Sequence, residues 1–179
     1  MPIEDGEIKS QGWWGREDLD KNVWEAAVER AIYTLETFED YYVSFSGGKD
    51  STAVLQTVIE AHKVLDIKEP IKVVYFDDEI VAPETDEYVI RCMENMPIDL
   101  HWYCIPVRQR NACSLRDPVW YPWGEEVKHL WCRDMPEQTT HTIKNMSWFP
   151  HDPPDNRPTL AGAGPYFFQD WGDNISGHK

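Results

Sequence analysis

Tyr41-Tyr42-Val43-Ser44-Phe45-Ser46-Gly47-Gly48-Lys49-Asp50-Ser51-Thr52 is the stretch from which the fold is read. Residues 41–45 are aromatic or β-branched apart from Ser44 and predict a short buried strand. Beyond Thr52, the residues Val54, Leu55, Val58, Ile59 and Leu65 recur at helical spacing, so the unit is strand, glycine loop, helix. Gly47 and Gly48 let the backbone approach a ligand closely. A helix start offers free N–H groups and a positive dipole end, which favour an anion. Ser46, Ser51 and Thr52 add hydroxyl donors, and Lys49 adds a point charge suited to phosphate. Asp50 either caps the helix or ligates a divalent cation riding on the phosphates. The spacing is neither G-x-x-x-x-G-K-[ST] nor G-x-G-x-x-G.

Outward from the loop the alternation continues. Upstream, residues 18–38 have helical spacing, with Val23, Ala27, Ala31 and Leu35 on one face and Asp18 or Asp20 as the cap. Downstream, residues 71–76 predict a second strand running into Asp77-Asp78-Glu79. Residues 84–95 predict a helix with Val89 and Met93 on one face, and residues 100–105 a third strand stopped by Pro106. Strands alternating with helices imply an α/β protein. Its expected form is a Rossmann-like, doubly wound, mainly parallel sheet with flanking helices. Right-handed crossovers put the carboxyl ends of the strands on one edge, where ligands bind such sheets. The loop, the Asp77-Asp78-Glu79 run and residues 104–110 share that edge. Three parts are expected: an arm over 1–16 carrying Trp13-Trp14, the α/β domain over 17–149, and an irregular Pro- and Trp-rich tail over 150–179 packed on it.

The chain has 179 residues, enough for one domain with trimmings. Its 17 Lys and Arg against 32 Asp and Glu leave a formal charge of −15, which argues against general nucleic-acid binding. No apolar run approaches a membrane span, and the acidic start lacks a secretory pattern, so a cytoplasmic protein without a membrane partner is expected. The four cysteines, Cys92, Cys104, Cys113 and Cys132, form no C-x-x-C pair, so reduced thiols are expected and an iron–sulfur cluster is not.

Ser46-Gly47-Gly48-Lys49-Asp50-Ser51 after a hydrophobic strand resembles the PP-loop of the adenine nucleotide alpha hydrolase superfamily, a HUP-type fold. The run 73–79, then Pro83-Glu84-Thr85 and Tyr88-Val89, is similar to the phosphoadenosine phosphosulfate (PAPS) reductase branch. Residues 101–106, 111–114, Trp120, Trp123 and Arg133-Asp134-Met135-Pro136 look like a reductase-like subgroup. Some members of that subgroup are phage or mobile-element genes, or co-regulators of ParB-like partners. The resemblance spans about residues 40–136. It implies ATP or another adenine nucleotide, such as PAPS, with Mg2+ as cofactor. The phosphate site it implies comprises Ser46, Gly47, Gly48, Lys49, Asp50 and Ser51, and Ser44, Thr52, Phe76, Asp77, Arg108 and Arg110 complete the expected nucleotide site. Lys49, Asp50 and Arg133 are its catalytic candidates, and Asp50, Asp77 and Asp78 its metal candidates. A ParB-like partner is a further implication; a homodimer is expected instead from the Trp13-Trp14 arm and the aromatic tail, which could form its interface. The branch's reductases act through a cysteine in a C-terminal Glu-Cys-Gly-x-His element, whereas this chain ends Ile175-Ser176-Gly177-His178-Lys179 with no cysteine after Cys132. Action at the alpha phosphate, by pyrophosphate release or adenylylation, is therefore expected first. The other readings are reduction through a non-standard or partner thiol, and a non-catalytic nucleotide-binding module.

Four other groups carry alternatives. Asp77, Asp78 and Glu79 either meet a metal or nucleotide, or form a solvated turn. Residues 101–133 hold five basic against three acidic side chains, so Arg108 and Arg110 either reach the loop-bound anion or balance acidic neighbours. Cys104 and Cys113 are read first as small packing residues; a nucleophilic role would need a thiol pKa lowered by those arginines. Trp102, Trp120, Trp123 and Trp131 are expected in the core or a lid, with one available to stack on adenine.

Overall fold

The computed structural model describes residues 19–146 and Arg157. The expected arm over 1–16 and all but Arg157 of the expected tail lie outside the described residues. The order is α1 (Val23–Thr37), β1 (Val43–Phe45), α2 (Lys49–Val64), β2 (Ile71–Phe76), α3 (Pro83–Asn95) and β3 (Ile98–Cys104). Short elements follow: β4 (Gln109–Arg110), β5 (Val119–Trp120), a 3-10 helical stretch over Glu125–Leu130, and β6 (His141–Thr142). Strands β1, β2, β3 and β6 lie in that order in one parallel sheet, and β4 pairs with β5 antiparallel. This is the Rossmann-like α/β architecture that the strand–helix alternation implies.

The register explains why β2 is apolar but for Lys72. It is central, pairing Val73 with Val43 on one side and with Leu100 on the other. Both its faces are covered, so Val73, Val74 and Tyr75 are all buried. Because the order steps one way from β1 to β3, right-handed crossovers bring α2 and α3 to the same face. There Leu55 and Ile59 of α2 and Val89 and Cys92 of α3 pack against Val73, Tyr75 and Trp102. Val74 points the other way, into a smaller cluster with Tyr103, Ile105, Val107 and Met146. Helix α1 packs on α2 and buries no residue fully.

Several boundaries move from their expected places. Helix α1 is capped by Asn22, not by Asp18 or Asp20: the Asn22 side chain accepts from the Glu25 amide at 2.9 Å, and the Glu25 carboxylate accepts from the Asn22 amide in return. That capping box satisfies two orphan donors at once. Strand β1 begins at Val43, and Tyr41 instead hydrogen-bonds His62 at the end of α2. Strand β3 begins at Ile98, where it meets Ile71, and ends at Cys104. Strand β6 is absent from the sequence reading. Two residues, His141 and Thr142, leave no periodicity to detect, and they join the sheet only because Tyr103 and Cys104 offer a free edge.

Candidate functional site

The glycine loop lies between the end of β1 and the start of α2, at the carboxyl edge of the sheet. Gly47 has φ +70°, a conformation that side chains other than glycine's resist. A methyl group there would come within 2.9 Å of Thr85 Cγ2 and 3.1 Å of Val89 Cγ2, so the loop is pressed against the first turns of α3. Gly48 is the N-cap of α2 and brings no side-chain cap. The first intrahelical bond runs from the Thr52 amide to the Gly48 carbonyl, so the amides of Lys49, Asp50 and Ser51 precede the helical ladder. Asp50 is exposed in the first turn and is not the cap.

The hydroxyls hold the loop's shape. Ser46 Oγ and Ser51 Oγ lie 3.0 Å apart, and Ser51 Oγ also accepts from the Ser46 amide and donates to the Gly48 carbonyl at 3.0 Å. Thr52 Oγ1 donates to the same carbonyl at 2.8 Å and accepts from Tyr88 OH at 3.1 Å. Lys49 and Ser44 are exposed, and Phe76, at the end of β2, is half-buried against Tyr103.

The acidic run divides into three different environments. Asp77 is turned inward, its carboxylate fully buried. Arg133 Nη2 donates to both its oxygens at 2.7 and 2.8 Å, Trp102 Nε1 donates at 2.9 Å, and the Glu79 amide donates at 2.8 Å. Arg133 also pairs with Asp86 of α3 at 2.9 Å, donates from Nε to the Glu79 carbonyl at 2.9 Å, and stacks over Trp123. Glu79 is buried with φ +66° and accepts from the amides of Trp123 and Cys132 at 2.8 and 2.9 Å. Asp78 alone is exposed; Gln109 donates to it at 2.6 Å. Partial burial, and next the charge of Asp77, raise the Asp78 pKa above the ordinary carboxylate value.

Asp77, Glu79 and Arg133 thus clamp the segment over 123–133 to the end of β2, and Arg133 carries the clamp on to α3, whose Thr85 backs Gly47. Asp86, Trp102, Thr85 and Gln109 complete this arrangement without having been singled out as site residues from the sequence. Trp102 and Asp86 lie 25 and 9 residues from Asp77, separations that leave no periodic signal. Arg108 and Arg110 are exposed, and among the described residues no hydrogen bond or ion pair joins them to the loop. Cys104 is buried, and burial, with the Asp77 charge adding to it, pushes its thiol pKa well up. Cys113 and Cys132 are exposed, and burial and Glu79 push the Cys132 thiol up as well. Among the described residues no group of three or more His, Cys, Asp or Glu side chains is arranged to hold a metal on protein ligands alone. Among them, too, no helix is long and apolar enough to cross a membrane.

Comparison with known proteins identifies the family. The family model described as "Phosphoadenosine phosphosulfate reductase domain" matches residues 40–132. The chain is 34% identical over 122 residues to the uncharacterized protein YbdN of Escherichia coli (strain K12). That alignment covers 66% of this chain and 29% of the relative, so the chain spans under a third of the relative's length. No solved structure matches.

Proposed function

Since the chain belongs to the phosphoadenosine phosphosulfate reductase domain family, we propose that it binds an adenine nucleotide by its phosphates on the Ser46–Thr52 loop and acts at the alpha phosphate. With ATP, attack there by water would give AMP and pyrophosphate, and attack by an acceptor would give the adenylylated acceptor with pyrophosphate again as the leaving group. The observation that carries this reading is the start of α2: a Gly48 cap with no side chain over it, three amides ahead of the helical ladder, and exposed Lys49 beside them. Such an array supplies fixed donors and positive charge where a leaving pyrophosphate gathers negative charge.

Asp50 and Asp78 are exposed and fit a magnesium ion carried in on the phosphates, which binds through one or two carboxylates plus phosphate oxygens. That ion, when bound, would neutralise phosphate charge. Asp77 supports the site from behind through Arg133, whose guanidinium is held by Asp77, Asp86 and the Glu79 carbonyl. Thiol-based reduction fits these residues less well. Cys104, the cysteine closest in sequence to the strand end, is buried with its thiolate disfavoured, and nucleophilic cysteines need the opposite.

The test is phosphorus NMR of the protein with ATP and magnesium, then with PAPS, with Lys49→Ala as control. From ATP, AMP and pyrophosphate should appear with the native protein and not with the variant, whose fold should be intact because Lys49 is exposed. Equal turnover by Lys49→Ala would overturn the site assignment. Sulfite release from PAPS with an added thiol would favour the reductase reading, and tight nucleotide binding without turnover the regulatory module.

A further inference from the structure

Beside the phosphate loop's edge lies a second cleft of about 400 Å³, formed where the β2–α3 connection meets the β4–β5 ribbon and the 3-10 stretch. Trp120, Tyr121 and Trp131 supply aromatic walls, Leu130 and other aliphatic side chains fill between them, and Glu79 and Asp117 bring carboxylates. Among the described residues, no lysine, arginine or histidine lines it. Nothing in the loop reading uses this cleft.

Its electrical character is set by where the nearby cations are committed. Arg133 faces Asp77 and Asp86, Arg157 pairs with Glu126 at 2.6 Å, and Lys128 sits over one face of Trp131 at 5.1 Å from the ring centre. The Glu79 carboxylate is held by the backbone amides of Trp123 and Cys132, which position it without cancelling its charge. Asp117 is exposed and, among the described residues, makes no salt bridge. A protein of formal charge −15 adds a background potential of the same sign. The loop selects for an anion; the cleft selects against one. Volume and aromatic walls suit a single flat ring system, and the carboxylates suit a protonated amine on it.

We propose that this cleft binds a small aromatic or heteroaromatic molecule carrying a cationic amine, as a second ligand distinct from the nucleotide. Binding here does not depend on turnover at the loop. The probe is tryptamine, compared with indole-3-acetate, which presents the same ring with the opposite charge. Titrations of the full 179-residue chain would be followed by the indole N–H signals of Trp120 and Trp131 in 15N-labelled protein, assigned by Trp→Phe replacement. Tryptamine should shift both signals and bind at least about tenfold more tightly than indole-3-acetate. Asp117→Asn, a change at an exposed residue, should weaken tryptamine about fivefold, the factor that corresponds to an exposed charge contact. Leu130→Lys, also at an exposed position, would place a cation at the mouth and should abolish the tryptamine shifts at Trp131. No shift with tryptamine, equal affinity for the two probes, or shifts confined to tryptophans outside the cleft would each overturn the proposal.

Discussion

Replacing Arg133 with methionine isolates the clamp that ties the segment over 123–133 to the sheet. The Arg133 side chain is 24% exposed, whereas the Asp77 carboxylate it covers is 0% exposed. Methionine keeps much of the stem volume and removes the charge, leaving Asp77 buried without its cation. Removing one partner of a buried pair costs about 3–5 kcal/mol, because the remaining charge is stranded. Two donors stay on Asp77, from Trp102 Nε1 and the Glu79 amide, which places the expected loss near the lower end, about 3 kcal/mol. For a chain of this size that corresponds to about 6–12 °C in Tm. Chemical and thermal denaturation of Arg133→Met would be compared with Arg91→Met, whose contact with Glu87 is an exposed pair at 4.0 Å and should cost under about 0.5 kcal/mol. The double variant Arg133→Met, Asp77→Asn should recover part of the loss, since the stranded charge is then gone. If Arg133→Met were as mild as Arg91→Met, or if the second change only added to the damage, the clamp would not be the source of the stability.

Gly47→Ala should destabilise the fold by about 1–3 kcal/mol, through the left-handed backbone and the contact with Thr85 Cγ2, and should weaken nucleotide binding. Adding Thr85→Ser removes that methyl group and should restore part of the stability; no recovery would show that the backbone conformation alone carries the cost. Burial lowers the His62 pKa, against an opposing pull from Glu69, so the unfolded chain binds its proton first as pH falls. His62 therefore contributes a loss of stability from about pH 6.5 downward, the ordinary histidine value, and His62→Gln should flatten the denaturation profile between about pH 7 and pH 5.5. Thiol titration of the native protein at about pH 8 should label Cys113 first, then Cys132, with Cys104 and Cys92 reacting only on unfolding, because both are buried. Rapid labelling of Cys104 would return the thiol route to contention.

Local pattern carried the elements whose signals are local. Residues 46–52 are legible because glycines, hydroxyls and a lysine must sit together in sequence to act together on one anion. β2 is legible because a strand buried on both faces is apolar along most of its length, here all but Lys72. Helix α3 announces itself with Pro83 at its first turn. The roles within the acidic run were not legible. Asp77, Asp78 and Glu79 are adjacent carboxylates, and sequence alone treats them as one group. Beyond the strand end Asp77 and Glu79 turn inward and Asp78 outward, and what each meets is decided elsewhere: Arg133 and Trp102 for Asp77, the amides of Trp123 and Cys132 for Glu79, Gln109 for Asp78. Strand β6 likewise exists only because β3 leaves an edge to pair with. The sequence by itself determined the α/β sheet and the glycine loop between strand and helix, since both follow from spacing within a few residues. Only the tertiary structure decided which acid is an anchor and which stays exposed, because those roles rest on partners 25 to 56 residues away along the chain.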